Sequence, residues 1–223
     1  MKGICFKSPL FHLTVQGTKK QTRRIIKPQP DKLRSINRIF CNTIPSYELT
    51  KKPWEPEPSY HFFMHEGKYL KPRYKVDEIV YLKEPYHVFD EENNLCLYKY
   101  PPKEDWLTDK EFSDIVHSLS ELKGWHNKLF MPEKYARYFI KITNVRAERL
   151  QDISEEDCIK EGIKVGRCGN ESKWMKAFYV EGDNQPYITA RRAYEMLINK
   201  INGKDTWQSN PWVWVYEYEL IKQ

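Results

Sequence analysis

The chain lacks any run of 18 apolar residues, and its first ten residues carry two lysines and no long hydrophobic stretch. Nothing in it therefore reads as a membrane span or a secretory leader. Glycine is scarce, at 9 of 223 residues. No glycine-rich phosphate fingerprint joins a strand to a helix, which argues against a doubly wound dinucleotide fold. The five cysteines, Cys5, Cys41, Cys96, Cys158 and Cys168, are odd in number, and no two have CxxC spacing. That pattern excludes a disulfide framework and a zinc ribbon, and it predicts free thiols in a reducing, cytoplasmic setting. His61 and His65 would share a face only in a helix, which Pro53, Pro56 and Pro58 oppose. No metal ligand set and no cofactor site is expected. Internal repeats and low-complexity tails are absent too. Charge of one sign is not in excess: 37 basic against 31 acidic residues leaves +6, which permits a nucleic-acid partner without requiring one.

What the chain does have is apolar and aromatic material. Hydrophobic residues make up 40 %, enough for a core, and 15 Tyr, 10 Phe and 7 Trp give an aromatic share of 14 %. Lys2–Phe6 reads as a strand, Pro9–Gln16 as a short helix stopped by Gly17, and Thr22–Lys27 as a strand ended by Pro28 and Pro30. Residues 29–75 are irregular, with a hairpin expected over Ser59–Leu70 around Gly67. Glu78–Leu82 is nearly all apolar, as a doubly buried strand would be, and Leu95–Tyr100 is expected to pair back on it. Asp105–Leu122 reads as a helix or a helix pair, ended at Gly124. Tyr135–Arg149 alternates as a strand does. Ser154–Glu161 carries a full helix code: Ser154 as N-cap, Glu155, Glu156 and Asp157 in the positive first turn, and Gly162 as the stop. Pro186–Lys200 reads as an amphipathic helix. In Trp212–Leu220, the residues Trp212, Trp214, Tyr216, Tyr218 and Leu220 face one way. Strands with helices between them predict an α+β fold built on a barrel or rolled sheet. One domain, 1–223, is expected, with insertions at about 29–75 and 90–130.

The densest chemistry lies in Gly17–Lys27, where five of eleven residues are basic. In a strand from Thr22, Thr22 and Arg24 share one face and Arg23 and Ile25 the other, with Lys19 in the turn before and able to lean over the face of Thr22 and Arg24. Such a turn offers ammonium and guanidinium groups to an anion or a polarised carbonyl. The plainer alternative is a solvated basic edge strand that discourages edge pairing.

Gly17-x-Lys19-x-x-Thr22-x-Arg24 resembles the motif that opens ASCH domains, which are PUA-like mixed β-barrels. Three other stretches resemble parts of that family: Tyr74–Glu84 its barrel strand, Val145–Ser154 its strand-to-helix passage, and Asn210–Val215 its closing strand. Val76, Lys83 and Tyr86 depart from the family's usual glycine, arginine and tryptophan. The nearest likeness is to longer phage- and prophage-encoded members. Small members of the family remove the acetyl group from acetylcytidine. The resemblance thus implies an amidohydrolase with Lys19, Thr22 and Glu161 as catalytic set. It further implies Gly17, Lys20, Arg23, Arg24 and Glu84 as contacts to a nucleoside substrate or nucleic acid. Threonine needs a base to become a nucleophile, and lysine can be that base only if burial or nearby positive charge lowers its pKa from about 10.4. The alternative is a non-catalytic module that holds RNA or a modified base in the same basic cleft.

Overall fold

The structure is a computed structural model describing residues 1–37, 59–66, 68–90, 92, 95–99, 107–170 and 173–221. In chain order its elements are β1 (Lys2–Cys5), α1 (Ser8–Val15), β2 (Gln21–Ile25), β3 (Lys32–Asn37), β4 (Ser59–His65), β5 (Lys68–Tyr69), β6 (Ile79–Lys83), β7 (Tyr86–Asp90), β8 (Leu95–Tyr98), α2 (Asp109–Glu121), β9 (Phe139–Arg149), α3 (Glu155–Lys160), β10 (Lys164–Asn170), β11 (Lys173–Tyr179), α4 (Ala190–Asn202), α5 (Thr206–Ser209) and β12 (Trp212–Ile221). The fold is α+β, as expected. Five strands form one mixed sheet in the order β1-β6-β9-β12-β2, beside the smaller sheets β3-β4-β5, β7-β8 and β10-β11.

The expected barrel is not what forms. The five-stranded sheet is open, with β1 and β2 each hydrogen-bonded to a single neighbour strand among the described residues. The strand expected to extend it, Leu95–Tyr100, pairs with β7 instead of β6, in the register Tyr86↔Tyr98 and His87↔Leu97. The cause is local. Pro85 follows Glu84 directly and has no N–H for a ladder, so β6 ends there and the chain starts a separate hairpin, closed by the Lys99 amide on the Pro85 carbonyl. No helix among the described residues is long and apolar enough to cross a membrane.

The chain divides into two compact units. The first takes Met1–Thr18, Ile79–Lys141 and the last residues from Glu219. Here β1 runs parallel to β6 and β6 antiparallel to the start of β9. The helix α1 begins with Pro9 in its first turn, buries Leu10, Phe11 and Leu13, and sets the Phe11 ring edge-on to Tyr138 at 6.0 Å. The β7-β8 hairpin packs Val88, Cys96 and Tyr98 on a small core of Tyr86, Met131 and Tyr135. Thr108 and Glu111 form a reciprocal capping box at the start of α2, which fixes its first residue as Asp109.

The second unit takes Lys19–Glu78 and Ile142–Tyr218. The strand β12 pairs antiparallel with β2, Trp214 opposite Arg24 and Tyr216 opposite Thr22. β12 is buried on both faces: Val213, Trp214, Val215 and Tyr216 are each at most 6 % exposed. The alternation expected for Trp212–Leu220 therefore separates two buried faces, as suits an interior strand. Helix α3 matches its code, with the Ser154 hydroxyl accepting from the Asp157 amide and Gly162 turning the chain at φ 105. Helix α4 begins at Ala190 and not at Pro186, because the Tyr187 backbone is spent on paired hydrogen bonds with Phe178 before the Thr189 cap is reached. The hairpin expected over Ser59–Leu70 corresponds to β4-β5, paired Met64↔Tyr69. Gly67, Cys41 and the prolines at 53, 56 and 58 lie outside the described residues. The β10-β11 hairpin was not foreseen.

Candidate functional site

Everything that follows the Gly17 turn is set by strand alternation. Gly17 itself stands at φ +73 with nothing within 4 Å of a Cβ built on it, so conformation and not space makes glycine suitable. Three residues on, the Lys20 amide bonds the Lys160 carbonyl and the Lys20 carbonyl accepts from the Tyr218 amide. The motif backbone is thereby fixed between the end of α3 and β12, while the Lys20 side chain stays exposed.

On one face of β2, Lys19, Gln21 and Arg23 enter a buried ionic network. Lys19 is 1 % exposed and Glu161 4 %. The Lys19 Nζ donates to Glu161 Oε2 at 2.6 Å, to the Glu161 carbonyl at 2.8 Å and to the Gln21 carbonyl at 2.7 Å. An ammonium has three N–H donors, and here all three are accepted. Burial lowers the Lys19 pKa, while the Glu161 carboxylate works against that fall. Glu161 is the C-cap of α3, where the helix dipole disfavours a carboxylate. Its other oxygen accepts from Arg23 Nη1 at 3.0 Å, so two cations offset the dipole.

Arg23 is the centre of the network. Its guanidinium also donates to Glu148 Oε1 at 2.8 and 2.5 Å, to Asp157 Oδ2 at 3.0 Å and to Gln21 Oε1 at 2.7 Å. Burial alone would lower its pKa, but Glu161 and Glu148 outweigh that and hold it above the usual guanidinium value. Arg146 extends the chain of charges to Asp157 at 2.6 Å, Glu148 at 3.2 Å and Glu217. Tyr194 of α4 closes the far side. Arg23 Cζ lies 6.0 Å from its ring centroid, and its buried hydroxyl has no hydrogen-bond partner among the described residues. Burial, with Glu161 next, pushes that hydroxyl's pKa well above the ordinary tyrosine value.

The opposite face of β2 carries Thr22 and Arg24. Thr22 is buried opposite Tyr216, and Arg24 is exposed opposite Trp214. The Tyr216 hydroxyl accepts from the Arg73 amide at 3.0 Å, and the Tyr74 ring meets Tyr216 edge-on at 5.2 Å.

The structure thus brings Lys19 and Glu161 together from 142 residues apart. It turns Thr22 to the other face of the strand. Arg23, expected as a ligand contact, is 5 % exposed and held by three carboxylates. Glu84 belongs to the first unit. It is fully buried and joined to Arg137 by two 2.8 Å hydrogen bonds, with the guanidinium 4.0 Å from the Tyr98 ring and 4.9 Å from that of Tyr138. Burial raises its pKa despite Arg137. Among the described residues no group of three or more His, Cys, Asp or Glu is placed to hold a metal ion.

Sequence reasoning missed Gln21, Arg146, Glu148, Asp157, Tyr194 and Glu217 as members of one cluster. A signal existed in β9: Arg146 and Glu148 alternate with buried Val145 and Ala147, and opposite charges on one strand face can serve a second buried layer as well as solvent. Compared with models of protein families, with curated proteins and with solved structures, the chain finds no match.

Proposed function

We propose that the chain is a nucleic-acid-binding module of the ASCH, PUA-like kind, whose ligand is RNA or a modified base, and that it does no hydrolysis. The observation that carries this is the saturated Lys19 ammonium. A general base needs a free lone pair within hydrogen-bond reach of the proton it takes. Lys19 gives all three N–H groups to oxygens, is buried, and has Thr22 on the far face of the strand. The network instead holds the motif strand rigid. Three cations from the same segment, Lys20, Arg24 and Lys27, are exposed. Exposed cations in and beside one strand suit a phosphate backbone.

Fluorescence anisotropy with a labelled single-stranded RNA tests this. Three phosphate contacts give a log–log salt slope near −2, so affinity should fall about 20-fold between about 50 and 200 mM salt. N-acetylcytidine incubated with the protein should release no cytidine. Release that disappears in Lys19→Ala would overturn the proposal. A hydrolase is the second reading, favoured by the direct Lys19–Glu161 contact and by the lowering of the Lys19 pKa through burial. It requires Lys19 to shed an acceptor and reach Thr22 when substrate binds.

A further inference from the structure

We infer that one face of the β10-β11 hairpin grips a single-stranded nucleic acid, with Trp174 stacking on a base and Arg167 and Lys176, together on the next rung, holding the adjoining phosphates. The inference rests on the binding reading above and adds a second contact surface to the motif cations.

The register places Val165 opposite Phe178, Arg167 opposite Lys176 and Gly169 opposite Trp174. Strand alternation puts these six on one face. Phe178 is buried and anchors the face. The other side chains are exposed, Val165 at 50 % and Trp174 at 56 %. Val165, Arg167, Trp174 and Lys176 line a depression of about 540 Å³.

Three features of this face lack a structural use. Arg167 and Lys176 stand directly across from each other, and like charges opposed on a ladder destabilise it. Neither has a carboxylate partner among the described residues, in contrast to the buried Arg23 and Arg146, which each have several. Trp174 is more than half exposed, and glycine stands opposite it. Gly169 sits at φ +134, and a Cβ there would collide with the Lys173 carbonyl. That position must stay glycine, so no cross-strand side chain covers the indole.

An open indole beside a rung of two cations, of which Lys176 also lies 5.1 Å from the Phe178 ring centroid, fits an alternating polymer of flat rings and phosphates. Base–aromatic stacking tolerates any base, and a basic groove follows the backbone. A single strand is favoured over a duplex because only unpaired bases offer a free face to Trp174. The cations lie within the apolar face and do not rim it, which disfavours insertion into a lipid surface, where charges stay outside the apolar layer.

The test uses the full chain and a fluorescein-labelled single-stranded RNA, with the matching duplex and anionic phospholipid vesicles as further arms. All substituted side chains are exposed, and circular dichroism with a thermal melt verifies that each variant folds as the parent does. Trp174→Ala should weaken strand binding about tenfold, and Trp174→Phe should restore most of that loss. Arg167→Ala with Lys176→Ala should flatten the log–log salt slope by about 1.4, two phosphates' worth. Hairpin variants that bind RNA as the parent does overturn the inference and leave the binding reading standing. A parent chain that binds no strand at low salt overturns both. Equal affinity for duplex, or vesicle binding lost in the same variants without RNA binding, also overturns the inference.

Discussion

Glu84 and Glu161 are both buried carboxylates, one in each unit, and the protein neutralises them differently. Glu84 meets one guanidinium in a two-bond clasp, and Arg137 is held between two tyrosine rings. The pair is closed: nothing else is needed to satisfy the carboxylate. Glu161 divides its oxygens between Lys19 and Arg23, and Arg23 passes the contact on to Glu148 and Asp157. Counting Lys160 at the Asp157 edge, four cations (Lys19, Arg23, Arg146, Lys160) balance four carboxylates (Glu148, Asp157, Glu161, Glu217). A closed pair can be replaced as a unit by apolar groups, because both charges leave together. A shared network cannot, because Arg23, Arg146, Glu148, Asp157 and Glu161 each serve at least two others.

The largest effect expected from this difference is at Arg23. Arg23→Leu leaves Glu148 with Arg146 alone and Glu161 with Lys19 alone, and should lower stability by about 3–5 kcal/mol in urea unfolding. A loss below about 1 kcal/mol would show that the network members are not interdependent. Next comes the paired substitution. Glu84→Gln should cost about 2 kcal/mol, less than at Arg23 because Arg137 is 26 % exposed. Adding both Glu84→Leu and Arg137→Leu should recover most of that loss. The matching Lys19→Met with Glu161→Leu should recover little, because Arg23 then loses one of its three carboxylates; equal recovery in both places would erase the distinction.

Acid separates the two sites more gently. Burial pushes the Asp157 carboxyl up, but Arg146 and Arg23 outweigh it and hold it below its ordinary 3.8. The unfolded chain then binds this proton first. The stability Asp157 supplies is complete above pH 3.8 and drains as pH falls through the lower folded value. Glu84 has the opposite sign: its raised pKa favours the folded state below 4.5, and that contribution is lost as pH rises through the folded value. Asp157→Asn should therefore flatten the acid limb of a stability–pH profile by under about 1 kcal/mol, given its partial solvent screening. The smallest effect concerns Cys158, fully buried on α3 beside the network, whose thiol burial pushes up to about 12. Alkylation at neutral pH, read by mass spectrometry, should label half-buried Cys168 and spare Cys158. Labelling of Cys158 would mean that α3 opens and that the network is less closed than its geometry indicates.

What could be seen in the sequence was what neighbours in sequence decide. Helix α3 was legible because its cap, its acidic first turn and its glycine stop all lie within nine residues of one another. The strand β12 was legible as a strand, but not its two-sided burial, which depends on partners far along the chain. The open sheet was not legible, since it turns on Pro85 releasing the chain into a separate hairpin. The β10-β11 hairpin was missed although Gly169-Asn170 marks its turn, because its apolar Val165, Trp174 and Met175 are exposed and give no core-facing alternation. In the motif, residue alternation separated Thr22 and Arg24 from Arg23 correctly. It could not tell that the Arg23 face was the buried one, because the carboxylates that meet it lie 125 to 138 residues away.

That distance has a meaning in time. During synthesis Lys19 leaves the ribosome 142 residues before Glu161. At about 5–20 residues per second, its ammonium waits roughly 7 to 30 seconds for the carboxylate that will neutralise it. Through that interval the nascent chain displays a basic segment, Lys19 to Lys27, without the acidic helix destined to cover half of it. The newborn protein therefore carries more accessible positive charge than the mature one, and folding completes by withdrawing Lys19 and Arg23 from polyanions in its surroundings.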